Sequence, residues 1–168
     1  MKREQIAALH RFFYGHAEAP TKRDLEQAWR AAKAIAAGGG ALSPSRRQYL
    51  LARMSALGTP PEVVEDVMAW SERPERPEAI TVHLGATSEM RWGTWAWIVY
   101  EGLCVAMTEG EVGDAELGAA RAVGAAMDVA PETIDALVDV CRDEASLRRR
   151  RIEVLHSTSA LGFHFDQL

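Results

Sequence analysis

The sequence predicts an all-α fold, and three observations support this prediction. Apolar residues recur at helical spacing along most of the chain, whereas the strict alternation typical of half-buried strands is almost absent. Capping residues, glycines and prolines mark where successive helices begin and end. The same marks recur 70 residues later, so that residues 25–70 match residues 95–140. We therefore expect a single-domain bundle of about eight or nine helices, built from two repeated units.

The repeat is faint in residue identity and clearer in the positions of the helix boundaries. No gap is needed to align the two units. Matching caps and breaks at a constant offset predict matching helix-turn-helix units. The pairs of positions that show the offset are Gly40 and Gly110, Leu42 and Val112, Pro61 and Pro131, Glu62 and Glu132, and Val64 and Ile134.

An N-terminal helix, within residues 1–15, is predicted to precede the first unit and to end at Gly15. Thr21 then begins a second helix, because Asp24 three residues later completes a variant of the capping box. The three glycines at residues 38–40 end that helix.

Ser43 and Pro44 carry the cap and first-turn signals of the next helix, which Gly58 ends. Pro61 opens a short helix, which is followed by a proline-rich, charged connection at residues 71–77. This connection is the predicted seam between the two units.

The second unit follows the same plan. A short apolar stretch at residues 78–84 precedes a long helix that includes residues 95–107 and is broken by Gly110. Two more helices follow, the second of which begins at Pro131. Residues 157–168 form a C-terminal tail for which we predict no regular structure.

Length and composition indicate the broad class of protein. With 168 residues, 48% of them hydrophobic, the chain can form one globular core without a disulfide or a metal. Its net charge of −5 argues against a nucleic-acid partner, because phosphate contacts need a positive surface. No apolar run is long enough for membrane insertion, and no apolar segment follows the charged N-terminus. We therefore expect a cytoplasmic protein in which Cys104 and Cys141 are buried free thiols.

The segment from Ala106 to Glu116 reads Ala-x-x-Glu-Gly-Glu-Val-x-Asp-x-Glu and joins two helical patterns. With the later turn at Pro131, it resembles the tellurite-resistance TerB-like family over about residues 22–156. The resemblance implies a bacterial accessory protein with a pseudo-symmetric all-α fold and an acidic turn, often present in both halves. The family's usual Asp before the glycine of this turn is Glu109 here. At the corresponding positions the first unit lacks acidic residues and has Gly39, Ala41, Pro44 and Arg46.

The acidic turn is the candidate metal site. Ca²⁺ and Mg²⁺ take oxygen ligands such as carboxylates, and the resemblance also implies a weak cation site here. The helix dipole explains acidic residues before and within a first helical turn without any metal, and the EF-hand spacing is absent. Both readings stay open, and no other cofactor is expected. The four carboxylates belong to Glu109, Glu111, Asp114 and Glu116.

Tryptophans crowd the start of the long helix. On a helix Trp92 and Trp95 share a face and Trp97 points away from them, so the three cannot all enter one core. We expect at least one of them to line a groove at the seam, where a ligand or a protein partner would contact aromatic side chains. The alternative is that they fill the space between the units. The other residues predicted to line this groove are Trp70, His83 and Met90.

Glu101 lies in an otherwise apolar segment and is predicted to be buried. A buried carboxylate must be paired or protonated, and the expected partner is a histidine or an arginine of residues 148–151. Glu101 is then either part of a structural ion pair, or an acid, a base or a ligand-binding carboxylate in a functional site. The other catalytic candidate is His83. The arginine run is otherwise expected to be a solvated face that pairs with Asp143, Glu144 and Glu153.

Three functions follow from these features. The first is a TerB-like accessory or scaffold module that binds a protein partner through the aromatic seam and carries a weak divalent-cation site. The second is a small-molecule-binding protein or cofactor-free enzyme, with a pocket for a small hydrophobic ligand between the units around Glu101 and the tryptophans. The third, suggested by the resemblance alone, is a stress protein that responds to Ca²⁺ or Mg²⁺. The P-loop, nucleophile-elbow and zinc-ligand spacings are absent from the sequence, so catalysis, partner identity and oligomeric state stay open.

Overall fold

The computed structural model describes residues 2–15, 20–70 and 95–157, which form seven α-helices and one 3₁₀ helix with no strand among them. This confirms the predicted all-α class. The apolar stretch at residues 78–84 lies outside the described residues, so the total of eight or nine helices stays a prediction. In chain order the helices are α1 (Arg3–Tyr14), α2 (Lys22–Ala37), α3 (Pro44–Ala56), α4 (Pro61–Ala69), α5 (Ala96–Ala106), the 3₁₀ helix η1 (Met107–Glu109), α6 (Asp114–Ala126) and α7 (Pro131–Ser157).

Local capping sets several helix boundaries where the sequence predicts them. Thr21 Oγ1 accepts a hydrogen bond from the backbone N–H of Asp24 at 3.2 Å, and Asp24 accepts one from the backbone N–H of Thr21 at 2.9 Å. Ser43 caps α3 by accepting from the backbone N–H of Arg46 at 3.3 Å. Gly38 ends α2 in the left-handed conformation, with a φ of 54°, which glycine adopts without steric cost.

Helices α2 and α5 pack closely against each other in the middle of the bundle. A Cβ atom added to Gly102 of α5 would lie 2.7 Å from Ile35 Cβ and 3.0 Å from the carbonyl oxygen of Ala32, both on α2. The glycine therefore allows an approach that a larger residue would prevent. One buried apolar cluster joins α2 to α5, α6 and α7, and a second joins α2 to α3 and α4.

Lys33 of α2 is a cation with no exposed surface. Its Nζ donates to the carbonyl oxygens of Val67 at 3.0 Å, Met68 at 3.2 Å and Trp70 at 2.7 Å. These carbonyls lie at the C-terminal end of α4, where unpaired carbonyls and the helix dipole favour a cation. Lys33 therefore caps α4 and joins it to α2, a role that the sequence analysis did not identify.

Helix α7 has 27 residues and leaves several large apolar side chains in solvent. Leu147 is 68% exposed and Leu155 is 64% exposed. No helix in the described part of the chain is both long enough and apolar enough to cross a membrane.

Candidate functional site

Glu101 lies on α5 with no exposed surface and is held by two neighbouring helices. Arg53 of α3 donates to both carboxylate oxygens, from Nε at 2.8 Å and from a terminal nitrogen at 2.7 Å. Tyr14 of α1 donates from its hydroxyl to Oε1 at 2.5 Å. The prediction that Glu101 is buried and paired is confirmed. The predicted partner was wrong, because α5 turns this side chain toward α1 and α3 and not toward the arginines of residues 148–151.

The protonation states of this group follow from its burial and charges. Burial, together with the charge of Glu101 and the hydrogen bond to it, raises the pKa of Tyr14 well above its usual value. Burial alone would lower the pKa of Arg53, but the hydrogen bonds and charge of Glu101 outweigh it and raise that pKa. Tyr14 therefore keeps its proton and Arg53 its charge, and both donate hydrogen bonds to the carboxyl oxygens of Glu101.

A partly open cavity of about 360 Å³ lies beside this group, between α1, α3, α5 and α7. Arg53 is part of its lining, whereas Glu101 lies behind it in the core. Three aromatic rings, from Phe13, Tyr49 and Tyr100, form much of the remaining lining. The structure thus has a pocket near Glu101 that is lined by residues of α1, α3, α5 and α7, and of the predicted tryptophans that the structure describes, Trp70, Trp95 and Trp97, none is part of this lining.

The cavity has more positive than negative charge. Among the described residues, its lining includes Arg53, Arg148 and Arg151 and a single carboxylate, that of Glu144. The guanidinium of Arg148 lies 5.8 Å from the ring centre of Tyr49, an arrangement typical of a cation–π contact. Cationic groups beside aromatic rings suit a ligand that carries both negative charge and apolar surface.

Glu144 is not the ion-pair partner of the arginine run that the sequence suggested. Its carboxylate accepts a hydrogen bond from the hydroxyl of Tyr100 at 2.6 Å. Burial is the largest cause that raises the pKa of Tyr100, and the hydrogen bond to Glu144 adds to it. Tyr100 therefore stays neutral and closes one side of the cavity through this bond.

Two free thiols also line the cavity. Cys104 on α5 is half-buried and Cys141 on α7 is 2% exposed, and their sulfur atoms are 3.4 Å apart. Both were expected to be buried free thiols, and Cys104 is more accessible than expected. The sequence gives no indication that they meet, because they are 37 residues apart on different helices.

The tryptophans separate into core and surface positions. Trp97 is 5% exposed and packs edge-on against Trp29 at a ring distance of 6.2 Å, so it belongs to the core and not to a groove. Trp95 and Trp70 are half-buried. His83, Met90 and Trp92 lie outside the described residues, so the groove at the seam stays a prediction.

The acidic turn makes contacts with the start of α3. Glu109 accepts hydrogen bonds from Ser43 at 2.5 Å and from Ser45, and Arg46 lies 3.3 Å from its other oxygen. Arg46 also donates to Glu116 at 2.6 Å. The hydrogen bonds from Ser43 and Ser45 lower the pKa of Glu109, and Arg46 contributes further. These contacts hold the start of α3 against η1 and the start of α6.

Metal ligands do not converge at this turn. The described residues contain no group of three or more His, Cys, Asp or Glu side chains placed to hold a metal ion. Two of the four predicted ligands, Glu109 and Glu116, are instead bound to Arg46. Glu111 and Asp114 lie on the same turn and helix start, so the predicted cation site would rest on fewer free carboxylates than the sequence suggested.

The described helices form an all-α bundle in which α2 packs closely against α5 and the acidic turn precedes α6. The chain is similar in structure to a tellurite resistance protein from Nostoc punctiforme, with a TM-score of 0.74. The two are 21% identical, and the match covers 92% of this chain and 94% of that one. The all-α fold implied by the resemblance in the sequence is therefore confirmed, whereas its pseudo-symmetry stays a prediction. No protein-family model matches the sequence, and no curated protein matches it significantly.

Several polar side chains of this region could not be predicted from the sequence. Tyr14 and Arg53 come from helices whose apolar pattern gives no sign of a shared polar partner, and Lys33 sits within an alanine-rich helix. The sequence pointed to this group through Glu101 itself, because a buried carboxylate must be paired or protonated. Which cation it takes depends on how the helices pack.

Proposed function

We propose that this protein is a TerB-like accessory module that binds a protein partner and does not itself catalyse a reaction. The observation that carries the proposal is the state of Glu101, the strongest catalytic candidate in the sequence. Its two oxygens are occupied by Arg53 and Tyr14 in the core, so it is not poised to exchange a proton with a substrate.

Surface features support a protein partner for this module. Helix α7 exposes large apolar side chains, and Trp70 and Trp95 are half-buried. Apolar and aromatic side chains at the surface commonly anchor protein interfaces. We therefore place the partner on the aromatic seam that includes Trp70 and Trp95.

The test compares Trp95→Ala with Trp97→Ala. Trp95 is half-buried, so its variant should fold, whereas loss of the Trp97 side chain from the core should cost about 3–5 kcal/mol of unfolding free energy. The tagged full chain would be cross-linked to its partners in its native cells, and these would be identified by mass spectrometry. We expect the wild type to recover one reproducible partner and the Trp95→Ala protein to lose it. A folded Trp95→Ala, Trp70→Ala double variant that keeps the partner would contradict the aromatic seam.

The cavity favours a second candidate function, that of a small-molecule-binding protein. Its volume of about 360 Å³ is within the range of ligand sites, and its arginines and aromatic rings suit an anionic ligand with apolar surface. The fluorescent dye 8-anilinonaphthalene-1-sulfonate has this chemistry. We expect saturable binding that weakens in Arg148→Gln and is unchanged in Arg142→Gln. Arg142 is the matched control because it lies on the same helix and pairs with Asp139. Equal dye binding by both variants would contradict this function.

We further infer that residues 25–70 and 95–140 are repeats related by an approximate twofold axis. Helices α3 and α6 begin and end 70 residues apart. Two pairs of positions with the same offset also touch, since Arg46 binds Glu116 and Gly102 lies against Ala32. A twofold axis between two units brings equivalent positions close to it into contact. Superposition of the two units in an experimental structure tests this inference, and different helix packing angles in the two units would contradict it.

A further inference from the structure

The two cysteines of the cavity have no part in the proposed accessory function. Cys104 and Cys141 come from different helices, α5 and α7, yet their sulfur atoms are 3.4 Å apart. A disulfide requires the sulfur atoms to approach further, to about 2.05 Å. The two thiols are in contact across α5 and α7, so they are placed to form such a bond once their side chains move together.

Their surroundings assign different roles to the two thiols. Cys104 is half-buried and lines the open cavity, so a reagent that enters the cavity meets it first. Cys141 also lines the cavity but is only 2% exposed, so a reagent reaches it less readily than Cys104. The hydrogen bond to Cys104, with burial, raises the pKa of Cys141, so Cys141 keeps its proton. The thiolate is the attacking form of a cysteine, and accessibility decides which thiol attacks.

The charges around Cys104 favour an anionic reagent. Among the described residues, Arg53, Arg148 and Arg151 line the same cavity beside one carboxylate, that of Glu144, which is hydrogen-bonded to Tyr100. Positive charge attracts carboxylate groups. This attraction does not require that the cavity hold a ligand as a stable complex, so the inference is independent of the proposed function.

We propose that Cys104 and Cys141 form a reactive thiol pair whose substrate is a low-molecular-weight disulfide that carries carboxylate groups. The Cys104 thiolate attacks one sulfur atom of this disulfide, forms a mixed disulfide and releases the other half as a thiolate, which takes up a proton. Cys141 then loses its proton, attacks the Cys104 sulfur and releases the second half as a thiol. The protein thus gains one internal disulfide between α5 and α7, and the small disulfide is reduced to two thiols.

Oxidised glutathione, which carries four carboxylates, is the probe. The reduced full chain is incubated with it under native conditions, the reaction is stopped with acid, and the products are identified by intact mass and peptide mapping. We expect wild type to lose two hydrogens and to contain the peptide pair that joins Cys104 to Cys141. Cys141→Ser should stop at a glutathione adduct on Cys104, and Cys104→Ser should react far more slowly. Cys141→Ala replaces the serine variant if that variant fails to fold.

Two comparisons test the charge of the substrate. Arg148→Gln should slow the reaction with oxidised glutathione severalfold and leave that with the neutral 2-hydroxyethyl disulfide unchanged. Arg142→Gln, on the same helix and paired with Asp139, should alter neither rate. Equal slowing with both disulfides would contradict the anionic substrate. A bond that forms only in denaturant, or equal reactivity of the two single cysteine variants, would overturn the thiol pair.

Discussion

At the residue scale, the group formed by Glu101, Arg53 and Tyr14 shows how the core accommodates a charge. A buried ion pair gives little net stability, because the loss of hydration offsets the attraction between the charges. Removal of one partner is costly, because the other charge stays buried without compensation. Arg53 keeps 19% of its side chain exposed and Glu101 none, so Glu101 bears the greater penalty if the pair is broken.

Replacement of Arg53 by Met should lower the free energy of unfolding by about 3–5 kcal/mol, because it leaves the Glu101 carboxylate unpaired in the core. Urea denaturation measures this change. The matched control is Arg142→Met, which breaks an exposed pair with Asp139 and should cost about 0–1 kcal/mol. Similar losses in the two variants would show that the Arg53–Glu101 pair is not structural.

The stability of the protein should fall as the pH rises above the usual pKa of tyrosine, near 10. The pKa of Tyr14 is raised by burial and by Glu101, so the folded protein keeps this proton under conditions in which the unfolded chain releases it. Its contribution is therefore fully present below pH ~10 and is lost as the pH rises through the folded-state value. Urea denaturation at a series of pH values from about 8 to about 11, around the usual pKa of tyrosine, measures the fall in the free energy of unfolding.

The Tyr14→Phe variant is the control for this pH dependence. It should show a shallower decline than wild type, and the remaining decline includes contributions from Tyr49, Tyr100 and Cys141, whose pKa values are also raised. An identical slope in wild type and Tyr14→Phe would contradict the assignment to Tyr14.

At the scale of helices, the bundle is joined by close backbone approach and by charged caps. Gly102 brings α5 against α2, Lys33 caps the C-terminal end of α4, and Arg46 binds the acidic turn to the start of α3. Each contact joins helices that are distant in sequence. Their loss should therefore affect the packing of whole helices and not only one side chain.

Gly102→Ala should destabilise the protein by about 1–3 kcal/mol, because the new Cβ would lie 2.7 Å from Ile35 Cβ and force the helices apart. Gly118→Ala on α6 is the matched control. A Cβ there has no atom within 4 Å, so this change should stabilise the protein by about 0.5–1 kcal/mol through helix propensity. Thermal and urea unfolding measure both, and an equal effect of the two substitutions would contradict the tight α2–α5 contact.

At the scale of the whole molecule, the acidic turn joins the start of α3 to η1 and α6. Glu109 of η1 and Glu116 of α6 both bind Arg46 of α3. A metal ion at the turn would have to compete with this arginine. Contacts between helices therefore account for two of the four acidic residues of the turn, Glu109 and Glu116.

Ca²⁺ or Mg²⁺ at millimolar concentration should leave the melting temperature nearly unchanged, because a ligand stabilises only when its concentration exceeds its dissociation constant. Differential scanning fluorimetry with and without a chelator measures this. The control is Glu109→Gln, which removes one of the four predicted ligands. A saturable rise in the wild type that disappears in Glu109→Gln would establish a cation site at the turn.

Much of the fold and little of the candidate site could be predicted from the sequence. The caps at Thr21 and Ser43 and the end of α2 at Gly38 were foreseen, as was the burial of Glu101. The groove predicted at the tryptophans lies partly outside the described residues and stays a prediction, although Trp97 itself packs in the core. Helical periodicity shows which face of a helix is apolar. It does not show which other helix packs against that face.

The sequence by itself determined the helical class and several helix boundaries, because capping and periodicity depend on residues within one or two turns. Only the tertiary structure decided that Arg53 and not an arginine of residues 148–151 meets Glu101, and that Cys104 and Cys141 lie together. These contacts join residues 37 to 48 positions apart, and they depend on the packing of helices against each other. Close packing is a property of all the interacting faces together, so no local pattern encodes it.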